Sequence, residues 1–332
     1  AQAFIGNGAV TDPSTLKDAF GTFASSGTLP IICHAAFLTA TAAVVMCGVE
    51  KGIERVSKVL MPLLFVLMLI LIVRGLSLPG ASEGLTFLFQ WNPEAFTGEA
   101  LLNAMGFAFF SLSVGSGSQM NYGSYLGRDV DIPKSTTWIV FLAIMSSILG
   151  GLMIMPAVFA FGLSPDAGPG LTFVTMPAVF GKLPLGDLFA VAFYVCLFVA
   201  ALTSAISILE MSVQYLVDVW RLTRRQSVWA TSTTLGILGI LCALSFGPLA
   251  DVTIFGKGFF DLFDYATSNI GMPLGCLGLA IVGGMVAWKD VKEELETGSR
   301  IGKTGLTFLR LIMVVLSPIV IVLVTFKAIG LF

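Results

Sequence analysis

The chain has 332 residues, 56% of them hydrophobic and only 11% charged, with a formal net charge of −2. A soluble domain carries about 25% charged residues, so composition excludes one. The near-neutral balance, with no run of Lys and Arg to gather on one face, also excludes binding to nucleic acid through released counterions.

In chain order, the opening AQAFIGNGAVTD starts at Ala1 rather than Met and lacks the basic start and apolar centre of a secretory signal. Eight apolar runs follow, at 29–48, 59–78, 101–126, 136–163, 185–220, 228–246, 256–288 and 306–332. Each reaches the roughly 18 residues that cross a bilayer core as helix. The sequence therefore predicts an all-α polytopic membrane protein, one transmembrane domain over 1–332. Several runs are longer than a span needs, which predicts tilt, kinks or non-helical interruptions.

Basic residues alternate between the loops. Lys51, Arg55 and Lys58 follow the first run, Arg128 and Lys134 the third, Arg221, Arg224 and Arg225 the fifth, and Lys289, Lys292, Arg300 and Lys303 the seventh. Outside these, the loops hold only Lys17, Lys182 and Lys257. Positive charge stays cytoplasmic, so both ends of the chain are expected outside. An external start without a signal is hard to insert, so an odd number of earlier spans is expected to precede Ala1.

Four segments could carry chemistry. In the third run, FFSLSVGSGSQMNYGSYLG, residues Gly115, Ser116, Gly117 and Ser118 interrupt apolar helix with residues that favour open backbone. Open backbone at membrane depth needs protein or water around it, and two half-helix ends there would suit a zwitterion or a cation. A small-residue packing seam fits the same pattern. In the fifth run, LFVAALTSAISILE, Thr203 and Ser204 follow Ala200 by one helical turn, so two hydroxyls and a carbonyl share a face. Such uncharged oxygens suit Na⁺; hydroxyls that merely bond back to the preceding turn are the commoner case. In the outer loop, PDAGPGLTFVTMPAVF reads equally as a lid or as a reentrant connector. In the seventh run, GFFDLFDYATSN holds Asp261 near the outer edge and Asp264 deeper, with no Arg nearby in sequence.

The remaining polar residues read as structural. His34, alone of its kind, sits in an apolar run, Glu210 lies near a cytoplasmic end where water or a helix cap could take it, and Arg74 and Arg310 can snorkel from span ends. Cys33, Cys47, Cys196, Cys242 and Cys276 all lie in apolar runs and predict neither disulfide nor metal site.

The motifs GVEKGIERVSKVLMP, FFSLSVGSGSQMNYGSYL, GPGLTFVTMPAVF, AALTSAISILE and FDLFDYATSN stand in an order that resembles the neurotransmitter:sodium symporter family, in its bacterial amino-acid branch. The resemblance covers roughly 29–332 and implies the family's fourth to eleventh spans, with the first three lacking. It implies the leucine-transporter-like fold of two inverted five-span repeats, each with a broken helix. Residues 1–78 would be the remnant of the first repeat, 101–288 the complete second, and 306–332 the final span.

By the same resemblance, Ala200, Thr203 and Ser204 look like part of the second sodium site and Ser111 like a ligand of the first. Phe110 resembles an aromatic lid over the substrate. Ser113, Ser116, Ser204 and Ile208, with the open backbone at Gly115 and Gly117, resemble the pocket, and Asp264 the outer-gate carboxylate. Leu142 stands where the family usually has Asn, Phe107 where chloride-dependent members have Gln, and Ser146 where chloride-independent members often have Glu. Neither a standard first sodium site nor a chloride site follows. The function expected is Na⁺-coupled symport of an amino acid or similar small zwitterion by alternating access, as part of a longer protein in a bacterial inner membrane. Its partners would be that substrate, Na⁺, the bilayer and the missing spans. The alternatives are an ion channel or a fragment that does not transport. The resemblance, together with the lack of GxSxG, HExxH or GxGD, argues against an enzyme.

Overall fold

The computed structural model describes residues 13–163, 171–299 and 301–328. Its helices in chain order begin with α1 (Pro13–Ser25), α2 (Thr28–Met46), α3 (Arg55–Leu76) and α4 (Ala81–Phe89). Then come α5 (Gly98–Ser111), α6 (Ser118–Gly123), α7 (Ile132–Ala160), α8 (Met176–Gly181), α9 (Gly186–Asp218) and α10 (Arg224–Leu244). The series closes with α11 (Phe259–Tyr265), α12 (Met272–Ile281), α13 (Trp288–Thr297), α14 (Lys303–Leu311) and α15 (Ser317–Ala328). Among the described residues, seven helical stretches are long and apolar enough to cross a membrane: Thr28–Met46, Lys51–Leu76, Ile132–Ala160, Gly186–Asp218, Arg224–Leu244, Phe259–Val286 and Lys303–Lys327. They match seven of the eight apolar runs. The run at 101–126 differs because its helix breaks, and neither α5 nor α6 is long enough to cross alone.

In the last two runs the predicted interruptions are π-helical turns, whereas the longest run, 185–220, holds one unbroken α-helix, α9. The π-turns lie at Ala266–Gly271 and Val282–Val286 within 259–286, and at Ile312–Leu316 between α14 and α15. A π-turn inserts an extra residue and re-aims the side chains beyond it. The outer loop is described from Leu171 onward, where a π-turn (Leu171–Thr175) leads into α8; its earlier residues, like Arg300, lie outside the described ones.

The chain divides into two compact units, one formed by residues through Trp91 with Ser146–Phe260, the other by Asn92–Met145 with Asp261–Phe332. In the first unit, lipid offers no hydrophobic drive for helices to meet, so close backbone approach and polar ties must hold them. Gly84 of α4 shows this: a Cβ there would lie 2.6 Å from the Met155 carbonyl oxygen. Apolar packing centres on Leu71, Val158, Met176, Phe180, Ala190 and Phe193. The Tyr194 hydroxyl, donating to the Thr172 carbonyl at 3.1 Å, ties the π-turn before α8 to α9. Phe20, Phe173 and Tyr194 stack in series beside that tie.

Glu210 reaches neither water nor a helix cap. It is fully buried, and both its oxygens accept from the Arg224 guanidinium, at 3.1 and 2.5 Å. The same guanidinium donates to the Val45 carbonyl at 3.0 and 2.7 Å, so it caps the end of α2. Arg224 owes its place to a capping box. Thr223 Oγ1 accepts from the Gln226 amide, and the Gln226 side chain accepts from the Thr223 amide, which starts α10 at Arg224. A cation at a helix N-terminus opposes the macrodipole; the buried carboxylate offsets it.

In the second unit, α12 packs against α15 and against the broken segment between α5 and α6. A cation from the far end of α15 secures the start of α5, with Lys327 donating to the Glu99 carbonyl at 2.9 Å and pairing with its carboxylate at 3.3 Å.

Candidate functional site

Thr97 starts α5 by accepting from the Ala100 amide at 3.1 Å, and the helix runs to Ser111. Ser113 then takes φ 51°, a left-handed conformation that a non-glycine residue adopts only at a cost. Val114–Ser116 make one 3₁₀ turn, Gly117 takes φ 81°, and α6 begins at Ser118. The expected break is thus present, and its two left-handed residues lie on either side of the 3₁₀ turn.

Serines hold the break together. The Ser116 hydroxyl lies 2.9 Å from both the Ser113 carbonyl and the Ser118 hydroxyl, and accepts from the Ser118 amide at 3.3 Å. The Gln119 side-chain amide donates across it to the Leu112 carbonyl at 3.4 Å, one of the end carbonyls that a helix cannot satisfy itself. Expected from the resemblance as a pocket residue, Ser116 spends its hydroxyl here on shaping the backbone.

The break is pressed against α12. A Cβ on Gly115 would lie 2.7 Å from the Met272 carbonyl carbon, and a Cβ on Gly275 would meet the Gly115 carbonyl. Just before the break, Phe110 is largely exposed and lines a cavity of about 370 Å³ with Asn103, Phe107, Asn269, Met272 and Lys327. Ser111, the last residue of α5, is exposed. Asp264 is exposed too, and its carboxylate accepts from Ser268 at 3.1 Å. Asn103, Asn269 and Lys327 are cavity residues that sequence reasoning passed over, since single amides and a terminal Lys carry no spacing signal.

In the first unit, Ala200, Thr203, Ser204 and Ile208 stand on α9. Thr203 is buried, and its hydroxyl donates to the Val199 and Ala200 carbonyls, 3.0 Å each. This bonding to the preceding turn uses the proton alone: the lone pairs of the hydroxyl oxygen stay available to a cation. Ser204 and Ile208 lie on an exposed face of the helix. Among the described residues no cluster of His, Cys, Asp and Glu could hold a metal ion.

Comparison with known proteins agrees with this geometry. The chain is 41% identical over 299 residues to an uncharacterized sodium-dependent transporter, YhdH, of Bacillus subtilis, covering 89% of this chain and 65% of the relative. It is 38% identical over 251 residues to an uncharacterized sodium-dependent transporter of Haemophilus influenzae, covering 75% of this chain and 55% of that one. It therefore spans only part, 65% and 55%, of these curated relatives. The crystal structure of MhsT in complex with L-phenylalanine superposes with a TM-score of 0.84 at 38% identity, over 94% of this chain and 71% of that one. Residues 20–332 match the model of the sodium:neurotransmitter symporter family, and the chain belongs to that family.

Proposed function

We propose that this chain is the larger part of a transporter that couples entry of an amino acid to the Na⁺ gradient by alternating access. The observation that carries the reading is the break at Ser113–Gly117, which places open backbone between two helix ends beside an exposed aromatic ring, Phe110. A zwitterion has one group for each kind of helix end. Phe110, Ser113 and the backbone at Gly115 and Gly117 bind it, with Ser116 fixing their shape. Ala200, Thr203 and Ser204 supply neutral oxygens for one Na⁺, Ser111 is a ligand of a separate sodium site, and Asp264 gates the outer side. Neutral donors hold the ion weakly enough to release it, as coupling requires. Residues 101–288 then form one complete inverted repeat of the family fold, in a bacterial inner membrane.

The substrate is a bulky or partly polar amino acid, since Ser116 stands where carriers of hydrophobic amino acids often have a large side chain. The related MhsT was crystallised with L-phenylalanine, which favours a bulky substrate. The test is uptake into proteoliposomes by the protein expressed from its complete reading frame, with each of the twenty amino acids under an inward Na⁺ or K⁺ gradient. Uptake of a bulky amino acid driven by Na⁺ alone supports the reading; equal uptake in K⁺, or transport of glycine and alanine only, refutes it.

A further inference from the structure

Arg310 lies inside the membrane-spanning stretch Lys303–Lys327, seven residues from its start, and is exposed. A charge at such a depth needs a partner or a route to the interface. Its contacts are neutral. Its Nε donates to the Gly284 carbonyl at 3.3 Å, and its guanidinium sits over the Trp288 ring, 5.4 Å from the centroid. Among the described residues no carboxylate lies within ion-pairing distance of Arg310 or Lys303, although α13 beside them carries Asp290, Glu293, Glu294 and Glu296.

The surroundings specify the missing anion further. Lys303, Thr307 and Arg310 follow one another at i, i+4 and i+7, so they form one stripe on α14, and all three are exposed. Exposed Phe308, Leu311 and Val286 flank the stripe. The polar face therefore opens onto acyl chains rather than onto water alone. Trp288 follows the span 259–286, where an indole ring marks the level of the headgroups. Its stacking on Arg310 draws the guanidinium towards that level.

We propose that α14 and the Gly284–Trp288 turn bind the phosphate headgroup of an anionic phospholipid in the cytoplasmic leaflet. Arg310 and Lys303 contribute the charges, Thr307 lies between them, and the flanking apolar residues contact the acyl chains. A free phosphate would satisfy the charges and gain nothing from those apolar residues, which is why a lipid is favoured.

The test is native mass spectrometry of the protein, expressed from its complete reading frame, after exchange into equal phosphatidylglycerol and phosphatidylcholine. Thermal unfolding in each lipid runs in parallel. Wild type should retain phosphatidylglycerol preferentially and unfold at a higher temperature in it. Both R310Q and K303Q should lose about fivefold of that preference, the weight of one interfacial charge, while R310K keeps most of it. K303Q changes an exposed side chain and remains informative if R310Q does not fold. Equal retention of the two lipids, an unchanged preference in K303Q and R310Q, or the same stabilisation by inorganic phosphate would each overturn the proposal.

Discussion

Gly115 and Gly275 face each other so closely that a Cβ on Gly275 would overlap the Gly115 carbonyl, while one on Gly115 would strike the carbonyl of Met272. The break between α5 and α6 is therefore fixed by backbone contact with α12, and its serines shape what that contact holds. Replacing either glycine by Ala must push the two segments apart. G115A and G275A should each lower stability by about 1–3 kcal/mol, the usual cost of overpacking, and weaken amino-acid binding. G278A lies on the same helix with nothing within 4 Å of its would-be Cβ and should leave thermal unfolding unchanged. Melting curves of the three variants in detergent decide the point.

A second prediction concerns Glu210 and Arg224. Removing one partner strands the other charge, so E210A and R224A should each cost about 3–5 kcal/mol. R224K should also be impaired, because an ammonium cannot hold both carboxylate oxygens and the Val45 carbonyl in one plane. Folded yield by fluorescence-detected size exclusion measures this; wild-type yield for E210A would show that the pair is dispensable.

Phe110 yields a third. Its ring lines the cavity beside the break, largely uncovered, and removing a large aromatic contact from a ligand costs about 1–3 kcal/mol. F110A should therefore weaken amino-acid binding at least about fivefold, with little change in melting temperature because the ring packs against little of the unit it belongs to. Isothermal titration with the preferred amino acid checks it.

Several of these features were legible before any coordinates. Hydropathy located the spans because a bilayer demands long apolar helices, and the sequence around Gly115–Ser118 announced the break because Gly and Ser are poor helix formers in an apolar context. Length alone did not say which runs would be interrupted, since α9 crosses 33 residues unbroken, and residues such as Ala266 and Ile312 gave no hint of π-turns. The Arg224 tie was illegible for another reason: Val45 lies 179 residues away, and its carbonyl is a main-chain group that no side-chain pattern marks. Equally invisible in sequence is that the Ser116 hydroxyl is engaged by Ser113 and Ser118.

The central claim is that the uncharged oxygens of α9 hold the driving ion, and the measurement closest to it is Na⁺ titration of amino-acid binding by wild type and by T203A with S204A. Removing two of several ligands should raise the Na⁺ concentration for half-maximal binding at least about tenfold, while binding at saturating Na⁺ approaches that of wild type. The same Na⁺ dependence in wild type and variant, or binding that ignores Na⁺ altogether, would contradict the account.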